Sequence, residues 1–258
     1  MRSSDVLALR HGELVIEGQL RDASNQVFLA HIQSAPSTRV IYKPVSGERD
    51  LWDFPTQTLS RREVAAYLID QALGLNMVPL TMWRDDAPHG PGSVQLVIAS
   101  DDENSHPVGV SEVAPTGSLP IVSLEDRAGN QWVLHHKDDS RLRRIALFDA
   151  IINNADRKAG HILAADDSLF LIDHGVAFHC ETKLRTVLWG WAGESLDAQE
   201  LAWLHASRDA LDASQSSVNC FLSNDEWQAL KERFDALIAE ARFPVPTDDR
   251  PALPWPII

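Results

Sequence analysis

The stretch FDAIINNADRKAGHILAADDSLFLIDHGVAF, Phe148 to Phe178, constrains the fold more than any other part of the chain. It passes from a helix-like apolar run into the polar loop Asn154-Ala155-Asp156-Arg157-Lys158-Ala159-Gly160-His161, and then into the short apolar strand Leu169-Phe170-Leu171-Ile172. One aspartate, Asp156, lies in the loop after the helix, and a second, Asp173, ends the strand just before His174-Gly175. The turn between the two halves reads as a hairpin, which brings the two carboxylates together.

The rest of the chain has enough apolar content to enclose such a pair. With 258 residues, 44% of them hydrophobic, it is long enough for one large domain or two small lobes. No run of roughly 18 apolar residues occurs, so no membrane span is expected. The start, MRSSDVLALRHGELVIEG, lacks a basic segment followed by an apolar one, so no secretory signal is expected. Cys180 and Cys220 form neither a disulfide framework nor a zinc-finger pattern, and the simplest expectation is a cytoplasmic protein. The formal net charge of −14, from 23 basic and 37 acidic residues, argues against broad binding to nucleic acid or anionic lipid. A nucleotide needs only a few well-placed cations, so the overall charge does not exclude a local basic pocket.

Residues 1–100 read mostly as strands. Glu13 to Leu20, Val27 to Ile32 and Arg39 to Lys43 form three β-type runs, with a turn over Arg21 to Gln26. A helix follows, with Ser60 as N-cap, Glu63 three residues on, Val64, Ala65, Leu68, Ile69 and Leu73 at helical spacing, and Gly74 as the stop. Val78 to Trp83 and Ser93 to Ile98 add two strands, for the order β-β-β-α-β-β. Residues 101–130 are polar and aperiodic and read as a connecting loop. From residue 131 to the end a mainly helical half is expected, with helices over Arg141 to Asn153, Asp197 to His205 and Asp225 to Ala241. The ending, PVPTDDRPALPWPII, is too proline-rich for a regular helix.

Several residues carry candidate chemistry. Phosphoryl transfer needs one carboxylate at the acceptor hydroxyl and another on the metal that bridges the nucleotide phosphates. Asp156 suits the first role, as base or orienting group, and Asp173 the second, with Gly175 allowing a tight turn beside the metal. Arg157 or Lys158 would offset charge on the transferring group. Lys43, at the end of an apolar strand, can reach phosphates from the sheet. Glu63 either pairs with Lys43 or closes a capping box with Ser60; spacing alone favours the cap, with Glu48 as another partner for the lysine. Ser24 and Asn25 present a turn to phosphate oxygens, or are simply favoured turn residues. His161 is a metal ligand, a phosphate contact or a structural histidine; magnesium prefers oxygen donors and imidazole suits zinc or manganese. Trp189-Gly190-Trp191 either stacks on an acceptor ring or covers core.

The order of these features resembles the phosphatidylinositol 3-/4-kinase-like, HipA-like branch of the protein-kinase fold. More narrowly, EGQLRDASNQVFL, IYKPVSGERDLWDFP, REVAAYLIDQALGLNMVP and FDAIINNADRKAGHIL resemble a bacterial phosphatidylinositol-kinase-like family, from about Gly12 to Leu196. The resemblance implies an α+β, two-lobed fold, a small antiparallel β lobe plus a larger, mainly helical lobe. It implies that Lys43 contacts nucleotide phosphates with Glu63 as ion-pair partner, and that Ser24 and Asn25 sit in a phosphate-covering loop. The strand carrying Gln95 leads to the hinge near adenine, Asp156 is the catalytic aspartate and Asp173 the principal metal ligand. One position departs from the pattern: His161 stands where asparagine is expected. The implied activity is an ATP- and Mg2+-dependent phosphotransferase, with Mn2+ as an alternative metal, acting on a hydroxyl-bearing small molecule or protein. The alternatives are a kinase-like nucleotide-binding regulator without turnover and a His/Asp metallohydrolase.

Overall fold

The computed structural model describes residues 3–21, 24–100 and 106–257. A five-stranded antiparallel sheet occupies the first part of the chain. Its strands are β1 (Leu14–Gln19), β2 (Phe28–Ile32), β3 (Ala35–Pro44), β4 (Thr81–Arg84) and β5 (Gly92–Leu96), in the order β1-β2-β3-β5-β4. Helix α1 (Ser3–His11) precedes them, and α2 (Leu59–Ala72) lies between β3 and β4. The expected β-β-β-α-β-β order is present, but α1 is an addition to it.

The period of two along a strand decides what faces what. Val40 and Tyr42 on β3 and Val94 on β5 are fully buried in a core shared with Leu9 of α1. Their neighbours Ile41, Lys43 and Gln95 point to the other face and line a cleft. Hence Lys43 reaches the cleft because Tyr42 is held in the core beside it.

Helix α2 departs from expectation at its start. Its N-cap is Thr58, without a side-chain cap, and the first turn is capped from outside by Glu48. The Glu48 carboxylate accepts from Leu59 N (3.0 Å), Ser60 N (2.7 Å) and Ser60 Oγ (2.6 Å). Glu48 is therefore a capping residue and not a partner of Lys43, and the Ser60–Glu63 capping box is absent. Glu48→Ala is expected to lower stability by about 1–2 kcal/mol, seen as a lower urea midpoint at unchanged slope; Ser60→Ala, which leaves two of the three bonds, lowers it less. At the other end Gly74 has φ +68, and Gly74 N to Gln71 O and Leu75 N to Asp70 O complete the paired stop that a left-handed residue permits.

The second part holds a three-stranded sheet, β6 (Val108–Ser111), β7 (Ser118–Glu125) and β8 (Gln131–Lys137), in the order β6-β8-β7. The connecting loop expected over 101–130 thus contains two strands, and the half expected to be helical from residue 131 begins with a third. Pro120 breaks the alternation in β7 at a register shift between Pro120 and Val122, which an edge strand tolerates. Helix α3 (Ser140–Ile152), the hairpin β9 (Ile162–Ala165) and β10 (Ser168–Leu171), α4 (Ala198–Val218) and α5 (Asn224–Glu240) follow. Helix α4 runs well past the expected His205. A large core joins Leu147, Phe148 and Ile151 of α3 to Leu204 and Leu211 of α4 and Leu230 and Phe234 of α5. Ala65, Ala66 and Ile69 of α2 belong to this same core. Arg62 ties α2 down further: it donates to Ala177 O and forms an ion pair with Glu226 of α5. Among the described residues no helix is long and apolar enough to cross a membrane.

Candidate active site

Three elements meet at Lys43. From β3 its Nζ lies 2.5 Å from Glu63 Oε1 on α2 and 2.8 Å from Asp173 Oδ1, just after β10. The other Glu63 oxygen accepts from the backbone N–H of His174 at 2.9 Å. Glu63 therefore holds both the lysine and the backbone beside Asp173, and the Lys43–Glu63 pairing prevails over the cap. Burial works against the charge on Lys43, but Asp173 and Glu63 more than offset it and the ammonium is stabilised. Lys43 in turn holds the Asp173 carboxyl far below the usual carboxylate range, so Asp173 stays ionised.

The hairpin delivers His161 to the same place. Asp166 and Asp167 both have positive φ (48° and 61°), the signature of a two-residue turn that matches strand twist. Leu171 pairs with Ile162, and Ile172 N donates to His161 O one step further. Asp173 then turns sharply at φ +61, a conformation aspartate adopts more readily than most residues. His161 Nε2 lies 3.4 Å from Asp173 Oδ2. Burial pushes the His161 imidazole down to about 4, so it is neutral at pH 7, and its buried Nδ1 has no hydrogen-bond partner among the described residues. An ionised carboxylate beside a neutral imidazole is a donor set that fits a divalent cation. Gly175 lines the cleft but takes no left-handed turn; Asp173 itself makes it.

The loop carrying Asp156 is clamped on several sides. Asn153 ends α3 with φ 54, and its side chain bonds to His179 O, Glu181 O and Lys183 N. Asn154 Nδ2 donates to Asp149, and its Oδ1 accepts from Asp156 N. Ala155 N donates to Val176 O. The Asp156 carboxylate faces the cleft, 3.0 Å from Lys158 Nζ. Burial raises its pKa, with Lys158 opposing, which favours proton acceptance relative to an ordinary aspartate.

Arg157 does not face the cleft. It is fully buried, paired with the fully buried Asp149 of α3 at 2.9 Å, and it donates to His161 O and Ile172 O. Its Nη2 also lies 2.9 Å from His174 Nε2. A guanidinium only donates, so this histidine nitrogen accepts and the imidazole is neutral, in line with a pKa well below the usual value from burial and then from Arg157. Arg157 is a strut joining α3, the loop and the hairpin, which corrects its expected contact with the transferring group. Of the two cations only Lys158 lines the cleft.

The cleft itself has a volume of about 740 Å³. Ser24 and Asn25 lie on its rim, where Asn25 Oδ1 accepts from Arg49 N at 2.8 Å. Gln95 lies on its sheet wall, with Nε2 donating to Thr81 Oγ1 at 2.8 Å. Trp191 is 1% exposed and packs in core, and Trp189 Nε1 donates to Ala252 O, so neither lines the cleft. The aromatic residues that do are the buried Phe54 together with Trp52 and Trp255, 94% and 85% exposed, which sequence reasoning missed. Asp149 was missed as well, although a charged residue inside the apolar run Phe148 to Ile152 was a visible signal.

No family model matches the chain. It is 42% identical to protein Rv2133c of Mycobacterium tuberculosis over 269 residues, covering 99% of this chain and 96% of that protein. A crystal structure of the Golgi casein kinase matches with a TM-score of 0.51 at 14% identity, covering 93% of this chain and 79% of that one. A second, with Mn/ADP bound, matches with a TM-score of 0.51 at 13% identity, covering 92% and 75%. The α+β fold is kinase-like.

Proposed function

This chain belongs to the family of protein Rv2133c from Mycobacterium tuberculosis, and we propose that it is an ATP- and divalent-metal-dependent phosphotransferase acting on a hydroxyl group. The observation that carries this reading is Lys43 held between Glu63 and Asp173, with Asp156 on the same cleft. One structural neighbour holds manganese and ADP, a ligand class that suits this cleft. The sequence phrases from Gly12 to Leu196 favour the phosphatidylinositol 3-/4-kinase-like, HipA-like branch.

In this reading Lys43 meets the nucleotide phosphates, Ser24 and Asn25 cover them, and Gln95 marks the adenine side. Asp173 and His161 would hold the metal. When bound, the metal offsets charge that builds up on the phosphates during transfer. Asp156 accepts the proton of the acceptor hydroxyl as its oxygen forms a bond to the γ-phosphorus. The bond from that phosphorus to the β–γ bridging oxygen breaks, ADP leaves, and Lys158 stabilises the charge beside Asp156. His161 in place of asparagine shifts the metal preference from magnesium towards manganese.

Asp173→Ala tests the reading. The wild type is expected to bind an ATP analogue only with divalent metal, and the variant to lose that metal dependence, with affinity down at least about tenfold. Thermal shift with and without chelator is the measurement; an unchanged metal response in the variant would overturn the metal assignment. His161 also favours a second reading, a nucleotide-binding regulator without turnover. Nucleotide-stabilised protein that neither transfers nor hydrolyses the γ-phosphate, with Mg2+ or Mn2+, would select it.

A further inference from the structure

Beside Asp156 lies a cation that the proposed mechanism leaves unused. Arg185 N donates to Asn154 O at 2.9 Å, and Arg157 N donates to Arg185 O at 3.0 Å. These two bonds straddle Asp156 and set residue 185 directly alongside it. The Arg185 side chain lines the cleft and interacts electrostatically with Asp156. Its Nε is buried without a hydrogen-bond partner, and the guanidinium has no ion pair among the described residues. An arginine held in a cleft with its fork unfilled is suited to a planar or tetrahedral anion.

The two exposed tryptophans stand on the same cleft. Trp52 comes from the segment between β3 and α2. Lys183 Nζ lies 5.1 Å from its ring centroid and is itself fixed by Asp53 at 2.5 Å. Trp255 comes from the C-terminal segment, which is pinned to the lower part of the molecule through Thr186 N to Ala252 O and Ala159 N to Ile257 O. Two indoles left in water at a cleft mouth, on anchored backbone, are a ring-binding surface more than an accident of packing.

We propose that the acceptor is a small hydroxylated ring compound bearing its own phosphate or carboxylate, with the ring on the indoles of Trp52 and Trp255 and the anion on Arg185. This rests on the phosphotransferase reading and names the substrate class for it. The charge balance favours a small anion over an anionic macromolecule: at −14 overall the protein repels the latter, while a small anion is governed by the local cation Arg185, Lys183 being taken up by Asp53.

The test is calorimetric titration into protein saturated with Mn2+ and a non-hydrolysable ATP analogue. The probes are glucose 6-phosphate, inositol 1-phosphate and glucuronate against glucose and inositol, with an acidic serine peptide as competitor. At least one anionic ring probe is expected to bind about tenfold tighter than its neutral parent, and phosphate against carboxylate ranking identifies the anion. Arg185→Gln is expected to remove that advantage, and Trp255→Ala to weaken charged and neutral probes alike by about fivefold. Both variants are expected to keep the nucleotide affinity within about twofold. Equal binding of charged and neutral probes, no binding of any anionic probe, preference for the peptide, or a matching loss of nucleotide affinity in Arg185→Gln would each overturn the acceptor assignment while the nucleotide reading stands. Absence of nucleotide binding in the wild type would instead remove the phosphotransferase reading, and the acceptor assignment with it.

Discussion

Asp156→Asn is expected to bind metal and nucleotide as the wild type does and to lower γ-phosphate transfer by about 10²- to 10⁴-fold. The amide keeps the size of the side chain and its reach towards Lys158, but cannot take a proton. Loop geometry should survive, because the bonds that fix it come from Asn154, Val176 and Arg185 and not from the Asp156 side chain. Asp156 itself contributes only its backbone N–H to that clamp. The measurement is γ-phosphate release from ATP, paired with analogue affinity by thermal shift. Transfer at the wild-type rate would place the base elsewhere; equal loss of binding would mean that Asp156 acts on the nucleotide and not on the acceptor.

Arg157→Met is expected to destabilise the protein by about 3–5 kcal/mol. The methionine fills much of the space but leaves Asp149 as an unpaired buried charge, with His161 O, Ile172 O and His174 Nε2 each short of a donor. For a chain of this length the loss corresponds to a melting temperature lower by roughly 6–20 °C. Adding Asp149→Leu is expected to recover part of it, since the stranded charge is then gone while the carbonyls remain unpaired. If Arg157 instead met the phosphates, the single variant would lose activity at unchanged melting temperature, and the second substitution would only destabilise further. The pair of variants therefore separates a strut from a phosphate contact even where the single variant folds poorly.

The parts of the site that were legible in the sequence are those coded by local pattern. The alternation Val40, Ile41, Tyr42, Lys43 orients the lysine, and the apolar run ending at Ile172 places Asp173 at a strand end. Gly74 marks the end of α2 because its left-handed φ suits glycine. The parts that were not legible depend on partners far along the chain. Ser60 and Glu63 have the spacing of a capping box, yet Glu48 takes the cap and frees Glu63 for Lys43. Arg157 and Lys158 are adjacent cations of equal standing in sequence, and only the buried carboxylate of Asp149 decides which of them turns inward. The strands at Val108–Ser111 and Ser118–Glu125 escaped notice because the first is only four residues long, both are only partly buried, and Pro120 interrupts the alternation of the second. Helix α1 escaped because its apolar signal is one-sided, with Leu9 buried and Leu7 60% exposed.

Sequence alone determined the order of the main elements of the β lobe and singled out Lys43, Glu63, Asp156 and Asp173, which the fold brings to one cleft. Periodicity and turn chemistry act over a few residues and are written directly in the chain. Only the tertiary structure decided which carboxylates meet Lys43, which of Arg157 and Lys158 stays in the cleft, and that Trp52, Arg185 and Trp255 line it as well. Those outcomes depend on burial, and whether a polar group is buried with a partner is fixed by segments that are distant in sequence and meet only when the cores close.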